Sequence, residues 1–91
     1  MKVAYRVHAV TRMFERGITD QDVGRVLSQS EEILTYPEDQ PYPSRLLLGW
    51  QGDRPLHVVC AYNPQDDETI VITVYEPDPA LWIDGFRRRR P

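Results

Sequence analysis

The sequence contains imidazole, phenol and guanidinium side chains of the kinds that act on phosphodiesters. His57 can exchange a proton near neutral pH, and Tyr75 or Glu76 can supply a second proton-transfer group. Arg12 and Arg54 can each hold a phosphate through two hydrogen bonds. Cleavage of RNA by its own 2′-hydroxyl needs a base, an acid and cations that stabilise the charge on phosphorus. These residue types therefore predict phosphodiester chemistry without a metal ion or a cofactor.

A second cationic group follows a helical period. His8, Arg12 and Arg16 are four residues apart, so they lie on one face of the predicted helix. Like charges at this spacing repel each other unless an anion or a carboxylate lies beside them. We assign His8, Arg16 and Arg45 to substrate binding. The alternative is that Glu15 and nearby acids neutralise these arginines.

Other chemical classes are poorly supported. The only imidazole or thiol ligands are His8, His57 and Cys60, and the last two are three residues apart in a predicted strand. They would lie on opposite faces of the sheet, so we predict no metal site. Cys60 lies among apolar residues and is expected to be buried rather than nucleophilic. The sequence has no glycine-rich phosphate loop and no Gly-x-Ser-x-Gly motif.

The composition predicts one small domain. A chain of 91 residues with 41% hydrophobic residues can form one core, although its small size makes a homodimer plausible. No apolar stretch is long enough to span a membrane, and the N-terminus lacks the pattern of a signal peptide. A single cysteine suits a reducing compartment, so we predict a cytoplasmic protein.

The charge is unevenly distributed along the chain. The net charge is −3, but residues 1–17 carry +3 and residues 87–91 carry +4, while residues 18–86 carry −10. Basic ends on an acidic body can form one local patch that attracts phosphate. The alternative is that the last arginines form a solvated tail. We therefore predict a single domain over residues 1–86 and a basic C-terminal tail over residues 87–91.

The periodicity predicts two N-terminal helices. From His8 to Gly17 the pattern is helical, with Val10, Met13 and Phe14 on the apolar face. Thr19 is the predicted N-cap of the second helix, and Asp20 and Asp22 favour its positive end.

The rest of the chain predicts strands. They cover residues 31–36, 44–50, 54–62 and 69–76, with a short first strand or extended segment at 3–7. Short connections favour antiparallel neighbours. The predicted fold class is α+β, with both helices on one face of an antiparallel meander of three to five strands.

An ordered set of motifs resembles a known family. The set is His8-Ala9-x-x-Arg12-Met13-x-x-Arg16-Gly17-Ile18-Thr19-x-x-Asp22-Val23, Tyr36-Pro37, Tyr42-Pro43, Leu46-Leu47-Leu48-Gly49, Arg54-Pro55-Leu56-His57-Val58-Val59 and Ile72-Thr73-Val74-Tyr75-Glu76-Pro77. Over nearly the whole chain it resembles the domain of unknown function family 4258 (DUF4258). That pattern is similar to small bacterial toxins of the RelE and BrnT type, which cleave RNA and pair with an antitoxin protein. The resemblance implies a RelE-like α+β fold and functional positions at His8, Arg12, Arg16, Arg54, His57 and Tyr75.

Two functional hypotheses follow. In the first, the protein is a metal-independent endoribonuclease of the toxin type, with RNA and an antitoxin as its partners. In the second, it is a non-catalytic module of the same fold that binds protein or nucleic acid through a strand edge or the basic tail. RelE-type toxins are usually basic, whereas this chain is acidic, and this departure keeps the second hypothesis open.

Overall fold

A computed structural model describes residues 2–91, so Met1 of the predicted domain lies outside the described residues. The helices are α1 (Val7–Arg16) and α2 (Asp20–Gln29). The strands, in chain order, are β1 (Lys2–Tyr5), β2 (Glu31–Tyr36), β3 (Ser44–Gln51), β4 (Arg54–Asn63), β5 (Glu68–Tyr75), β6 (Trp82–Ile83) and β7 (Arg88–Arg89). The helices and β2 to β5 begin and end within two residues of their predicted bounds.

Local sequence explains where the helices begin and end. The Thr19 hydroxyl accepts a hydrogen bond from the Asp22 backbone N–H at 3.1 Å, and the Asp22 carboxylate accepts one from the Thr19 N–H at 3.0 Å. This capping box satisfies two free donors at the start of α2. Gly17 ends α1 in the left-handed conformation with φ of 64°, which a residue without Cβ adopts easily.

Only part of the apolar face of α1 is buried. Ala9 and Met13 are buried, but Val10 is 53% exposed and Phe14 is 88% exposed. Of the predicted apolar face, Met13 therefore reaches the core, while Val10 and Phe14 lie largely outside it. The reason is that α1 packs along β5, near the margin of the sheet, so only a narrow arc of the helix reaches the core.

The main sheet has five strands in the order β1-β5-β4-β3-β2. Strands β2 to β5 pair antiparallel with their chain neighbours, but β1 pairs parallel with β5, with Tyr5 opposite Val71. The predicted antiparallel meander is therefore wrong, because the sheet is mixed. Pairing between strands so distant along the chain leaves no local mark in the sequence. The parallel direction is available because the connection, which contains both helices and β2 to β4, is long enough to bring the chain back in the same direction.

One face of the sheet packs against the helices. Its buried core contains Leu47, Leu56, Val58, Cys60, Val71 and Val74 from the strands, with Ala9, Met13, Ile18, Val23 and Val26 from the helical layer. Gly49 of β3 lies directly beneath Val26, where an added Cβ would come within 2.6 Å of Cγ2. This close approach explains the glycine at the centre of a strand.

The other face is covered by the chain that follows β5. Leu46, Leu48 and His57 lie on this face and are almost completely buried. The Trp82 ring packs edge-on against the His57 imidazole, with 4.5 Å between ring centroids. Residues 77–91, called here the C-terminal segment, therefore form part of the domain's structure.

The last arginines belong to this C-terminal segment. Strand β7 lies within the predicted basic tail and pairs antiparallel with β6, with Trp82 opposite Arg89. The Nε of Arg87 donates to both carboxylate oxygens of Glu31 at 3.0 Å, which ties the segment to β2. The basic residues at the end of the chain are thus packed onto the domain.

Candidate functional site

A cleft lies beside the second half of β5. Strand β1 ends at Tyr5, opposite Val71, and no other described strand pairs with β5 along that edge beyond this point. Helix α1 forms one wall and the C-terminal segment forms the other, enclosing a volume of about 430 Å³. The polar and aromatic side chains that line it include His8, Arg12, Arg16, Tyr75, Trp82 and Arg89.

The cleft carries an excess of positive charge. Among residues 2–91, none of Arg12, Arg16 and Arg89 forms an ion pair, and the Arg89 guanidinium lies over the Trp82 ring, 5.8 Å from its centroid. The basic face of α1 and the basic end of the chain therefore meet at one place. An arginine guanidinium without a carboxylate partner is well suited to bind a phosphate through two hydrogen bonds.

The two acids of the cleft have partners of their own. The Glu76 carboxylate accepts a hydrogen bond from the Arg54 Nε at 2.7 Å. The Asp78 carboxylate accepts one from the Ala80 backbone N–H at 2.8 Å. Neither acid pairs with an arginine on α1, and among residues 2–91 no ion pair joins Glu15 to Arg12 or Arg16.

Arg54 supports the cleft but is not among the residues that line it. Its guanidinium donates to Glu76, to the Gln51 side chain at 3.1 Å and to the backbone carbonyl of Arg16 at 2.6 Å. These hydrogen bonds occupy the Arg54 guanidinium, which the sequence predicted to bind phosphate. The structure therefore places Arg54 as a brace between β4 and the end of α1.

His57 is fully buried behind the cleft. Its Nε2 lies 2.9 Å from the carbonyl oxygen of Phe86, and its Nδ1 lies 3.2 Å from the hydroxyl of Tyr75. Burial lowers the pKa of the His57 imidazole below its usual 6.5, while the hydrogen bond to Phe86 partly opposes this shift. Among the described residues, the hydrogen bond with Tyr75 is therefore the one that joins the His57 imidazole to a side chain lining the cleft.

Tyr75 joins the buried imidazole to the cleft. It lies directly opposite His57 in the antiparallel pair, and the two rings pack edge to face with 5.2 Å between their centroids. Burial raises the pKa of the Tyr75 phenol above its usual 10.0, and the neighbouring Tyr36 adds to the increase while Arg89 opposes it. The phenol is therefore protonated at neutral pH.

Arg45 lies apart from this site. Its guanidinium pairs with Glu32 at 3.5 Å, and both side chains are about half exposed. It borders a separate, mainly apolar groove of about 460 Å³ that also includes Cys60. The structure does not bring Arg45 together with the other predicted site residues. As expected from the sequence, Cys60 is buried, and burial raises the pKa of its thiol.

A protein-family model described as domain of unknown function (DUF4258) matches residues 5–76. The chain belongs to this family. No curated protein and no solved structure matches it. The DUF4258 match includes the α1 residues, His57 and Tyr75, but it ends before the C-terminal segment.

The part of the site that lies beyond the DUF4258 match was not predicted from the sequence. Trp82, Arg89 and the Phe86 carbonyl all come from the C-terminal segment. The concentration of arginines at the end of the chain was a usable signal, since it predicted a phosphate-attracting patch. A backbone carbonyl leaves no such signal, because its direction depends on the turn that carries it.

The described residues show no metal-ligand cluster of three or more His, Cys, Asp and Glu side chains. Neither of the two helices within residues 2–91 is long and apolar enough to cross a membrane.

Proposed function

We propose that this DUF4258 protein is a cytoplasmic, metal-independent endoribonuclease of the toxin type, similar to the RelE and BrnT toxins. The observation that carries the proposal is the convergence of three arginines without carboxylate partners, Arg12, Arg16 and Arg89, on a cleft that also contains Tyr75 and His8. Such a cleft supplies both electrostatic stabilisation and proton-transfer groups.

The proposed reaction is attack of a ribose 2′-oxygen on the adjacent phosphorus. The new bond joins the 2′-oxygen to phosphorus, and the bond from phosphorus to the 5′-oxygen of the next nucleotide breaks. The products are a 2′,3′-cyclic phosphate and a 5′-hydroxyl. Arg12, Arg16 and Arg89 stabilise the charge on the phosphoryl oxygens. Tyr75 receives the 2′-hydroxyl proton as its phenol releases its own proton. The protonated form of His8 gives a proton to the departing 5′-oxygen and regains one from solvent.

A second candidate function uses the same cleft without cleavage. The open edge of β5 between Ile72 and Tyr75 can accept an extended strand from a partner protein, and the neighbouring arginines favour an acidic one. A cognate antitoxin would be such a partner, and a second copy of the chain is the other candidate. This function predicts binding that does not alter RNA.

The deciding experiment is incubation of purified protein with end-labelled single-stranded RNA in the presence of EDTA, together with DNA of the same sequence. We expect the wild type to cleave the RNA and to leave the DNA intact, because DNA lacks the attacking hydroxyl. Arg12→Ala should reduce cleavage by about 100-fold or more, by analogy with the loss of one transition-state donor.

The matched control is Arg25→Ala, which removes one positive charge from α2 outside the cleft. It should cleave RNA like the wild type. Folded wild-type protein that binds RNA or an acidic partner but leaves RNA intact would favour the second candidate. Equal cleavage by wild type and Arg12→Ala would contradict the proposed site.

A further inference from the structure

We propose that His57 is a positioning residue that accepts the Tyr75 proton during RNA cleavage, and that the Phe86 carbonyl of the C-terminal segment holds it in the required tautomer. This inference rests on the proposed function and extends it from the cleft to the buried residues behind it. It gives the C-terminal segment a direct part in the reaction.

The hydrogen bonds determine the tautomer of His57. A carbonyl oxygen can only accept, so the contact of 2.9 Å between Nε2 and the Phe86 oxygen requires a proton on Nε2. The neutral imidazole then has no proton on Nδ1, which is free to accept one. The hydroxyl of Tyr75, 3.2 Å away, must therefore donate to Nδ1.

This direction solves a difficulty of the proposed reaction. Tyr75 holds its proton at neutral pH, because burial raises the pKa of its phenol, so it is a poor base by itself. It can take the 2′-hydroxyl proton if its own proton moves to Nδ1 of His57 at the same time. Two protons then shift in one direction while the 2′-oxygen bonds to phosphorus, and His57 becomes an imidazolium that keeps its bond to Phe86. The imidazolium later returns its proton to the Tyr75 oxygen, which releases a proton to solvent.

The surroundings of the pair contain few other charges. His57 lies between Leu48 on β3 and Tyr75 on β5, with the uncharged Trp82 ring above it. Two titratable groups outside the pair influence the pKa of the Tyr75 phenol: Tyr36 of β2 raises it and Arg89 of β7 lowers it. No carboxylate among the described residues bonds to either ring, so the positive charge that His57 gains when Nδ1 takes up the proton is stabilised mainly by the hydrogen bond from Nε2–H to the Phe86 carbonyl.

The turn that carries this carbonyl has an unusual backbone. Asp84, Gly85 and Phe86 have φ values of 55°, 66° and 69°, and two of these residues are not glycine. Left-handed conformations of non-glycine residues are unfavourable and persist only where surrounding contacts enforce them. Here Phe86 packs edge-on against Trp50, and the Arg87 side chain is fixed by Glu31. These contacts keep the turn in the conformation that directs the Phe86 carbonyl at His57.

The first test measures the tautomer in the wild-type protein by nitrogen-15 NMR of its histidine side chains. We expect Nε2 of His57 to be protonated and Nδ1 to be unprotonated and hydrogen-bonded at neutral pH. A proton on Nδ1 would overturn the inference. This measurement needs neither a substrate nor a variant.

The second test compares RNA binding and cleavage for His57→Asn and Tyr75→Phe. An asparagine Oδ1 can accept the Tyr75 hydrogen bond in place of Nδ1 but cannot take up the proton. We expect RNA affinity within about twofold of the wild type and cleavage reduced by about 100-fold in each variant. The double variant should lose no more than either single variant, because the two residues act as one unit.

The pH profile separates this role from a purely structural one. Wild-type cleavage should decline as the pH falls and His57 becomes protonated, whereas the residual activity of His57→Asn should lack this decline. Wild-type rates and an unchanged profile in His57→Asn would overturn this inference and leave the proposed nuclease in place. Absence of cleavage by the folded wild type would overturn the nuclease and, with it, the assigned role of His57. If His57→Asn does not fold, Tyr75→Phe decides, since wild-type cleavage in that variant also overturns the inference.

Discussion

The guanidinium of Arg54 donates a hydrogen bond of 2.6 Å to the carbonyl oxygen of Arg16, so the first residue of β4 holds the last residue of α1. Carbonyls in the last turn of a helix lack partners within the helix, and a cation placed there also complements the helix dipole. Arg54 acts on the cleft indirectly, because it fixes the helix end from which the Arg16 side chain projects.

Replacement of Arg54 by alanine should therefore destabilise the fold as well as the site. We expect the free energy of unfolding to fall by about 1–2 kcal/mol, since the bonds to Arg16, Glu76 and Gln51 are lost in a partly exposed setting. Urea unfolding measures the change. Arg88→Ala is the control, because Arg88 is exposed and its ion pair with Asp84 lies within one turn, so its change should stay below about 0.5 kcal/mol. Equal changes in the free energy of unfolding for the two replacements would show that Arg54 does not stabilise the contact between β4 and the end of α1.

Two glycines should respond to alanine in opposite directions. A Cβ on Gly49 would come within 2.6 Å of Val26, so Gly49→Ala should destabilise the protein by about 1–3 kcal/mol through overpacking. A Cβ on Gly24 of α2 would have no neighbour within 4 Å, so Gly24→Ala should stabilise it by about 0.5–1 kcal/mol through helix propensity. Thermal or urea unfolding of both variants measures the two changes in stability. Destabilisation by both would mean that Gly24 has a packing role that the structure does not show.

Local chemistry was the part of the fold that the sequence predicted well. Thr19 and Asp22 marked the start of α2 because a capping box needs only residues three apart. Gly17 marked the end of α1 for a similarly local reason. The pairing of β1 with β5 was not predictable in this way, since it depends on where the two helices and the three strands that follow them place β5.

The site residues show the same contrast between local signals and contacts with distant parts of the chain. The spacing of Arg12 and Arg16 predicted one cationic helix face, and the structure places both side chains in the cleft. The burial of His57 was not predictable, because it depends on Trp82 and on a turn far along the chain. The pairing of Arg54 with Glu76 likewise depends on the register between β4 and β5.

An apolar stripe on α1 should be tolerant of polar replacement. Val7, Val10 and Phe14 are spaced three and four residues apart and are 82%, 53% and 88% exposed. Because Phe14 contributes little to the core, Phe14→Ser should change the free energy of unfolding by less than about 0.5 kcal/mol. It should also increase solubility, since a smaller apolar patch favours self-association less. Urea unfolding and light scattering at rising concentration check both. A decrease of more than about 2 kcal/mol in the free energy of unfolding of Phe14→Ser would show that Phe14 is covered in solution.

Stability should decrease on mild acidification because of His57. Its pKa is below 6.5 in the folded protein, while the unfolded chain has the ordinary value, so the unfolded state binds more protons as the pH falls below about 6.5. The free energy of unfolding should therefore be unaffected by this group above that pH and should decline between about pH 6.5 and the lower folded-state pKa. Asp22 also has a lowered pKa, but its usual value is 3.8, so its contribution is lost only at stronger acidity. Urea unfolding across this range should give a smaller decline for His57→Asn than for the wild type. Parallel curves for the two proteins would mean that His57 does not titrate differently in the folded and unfolded states.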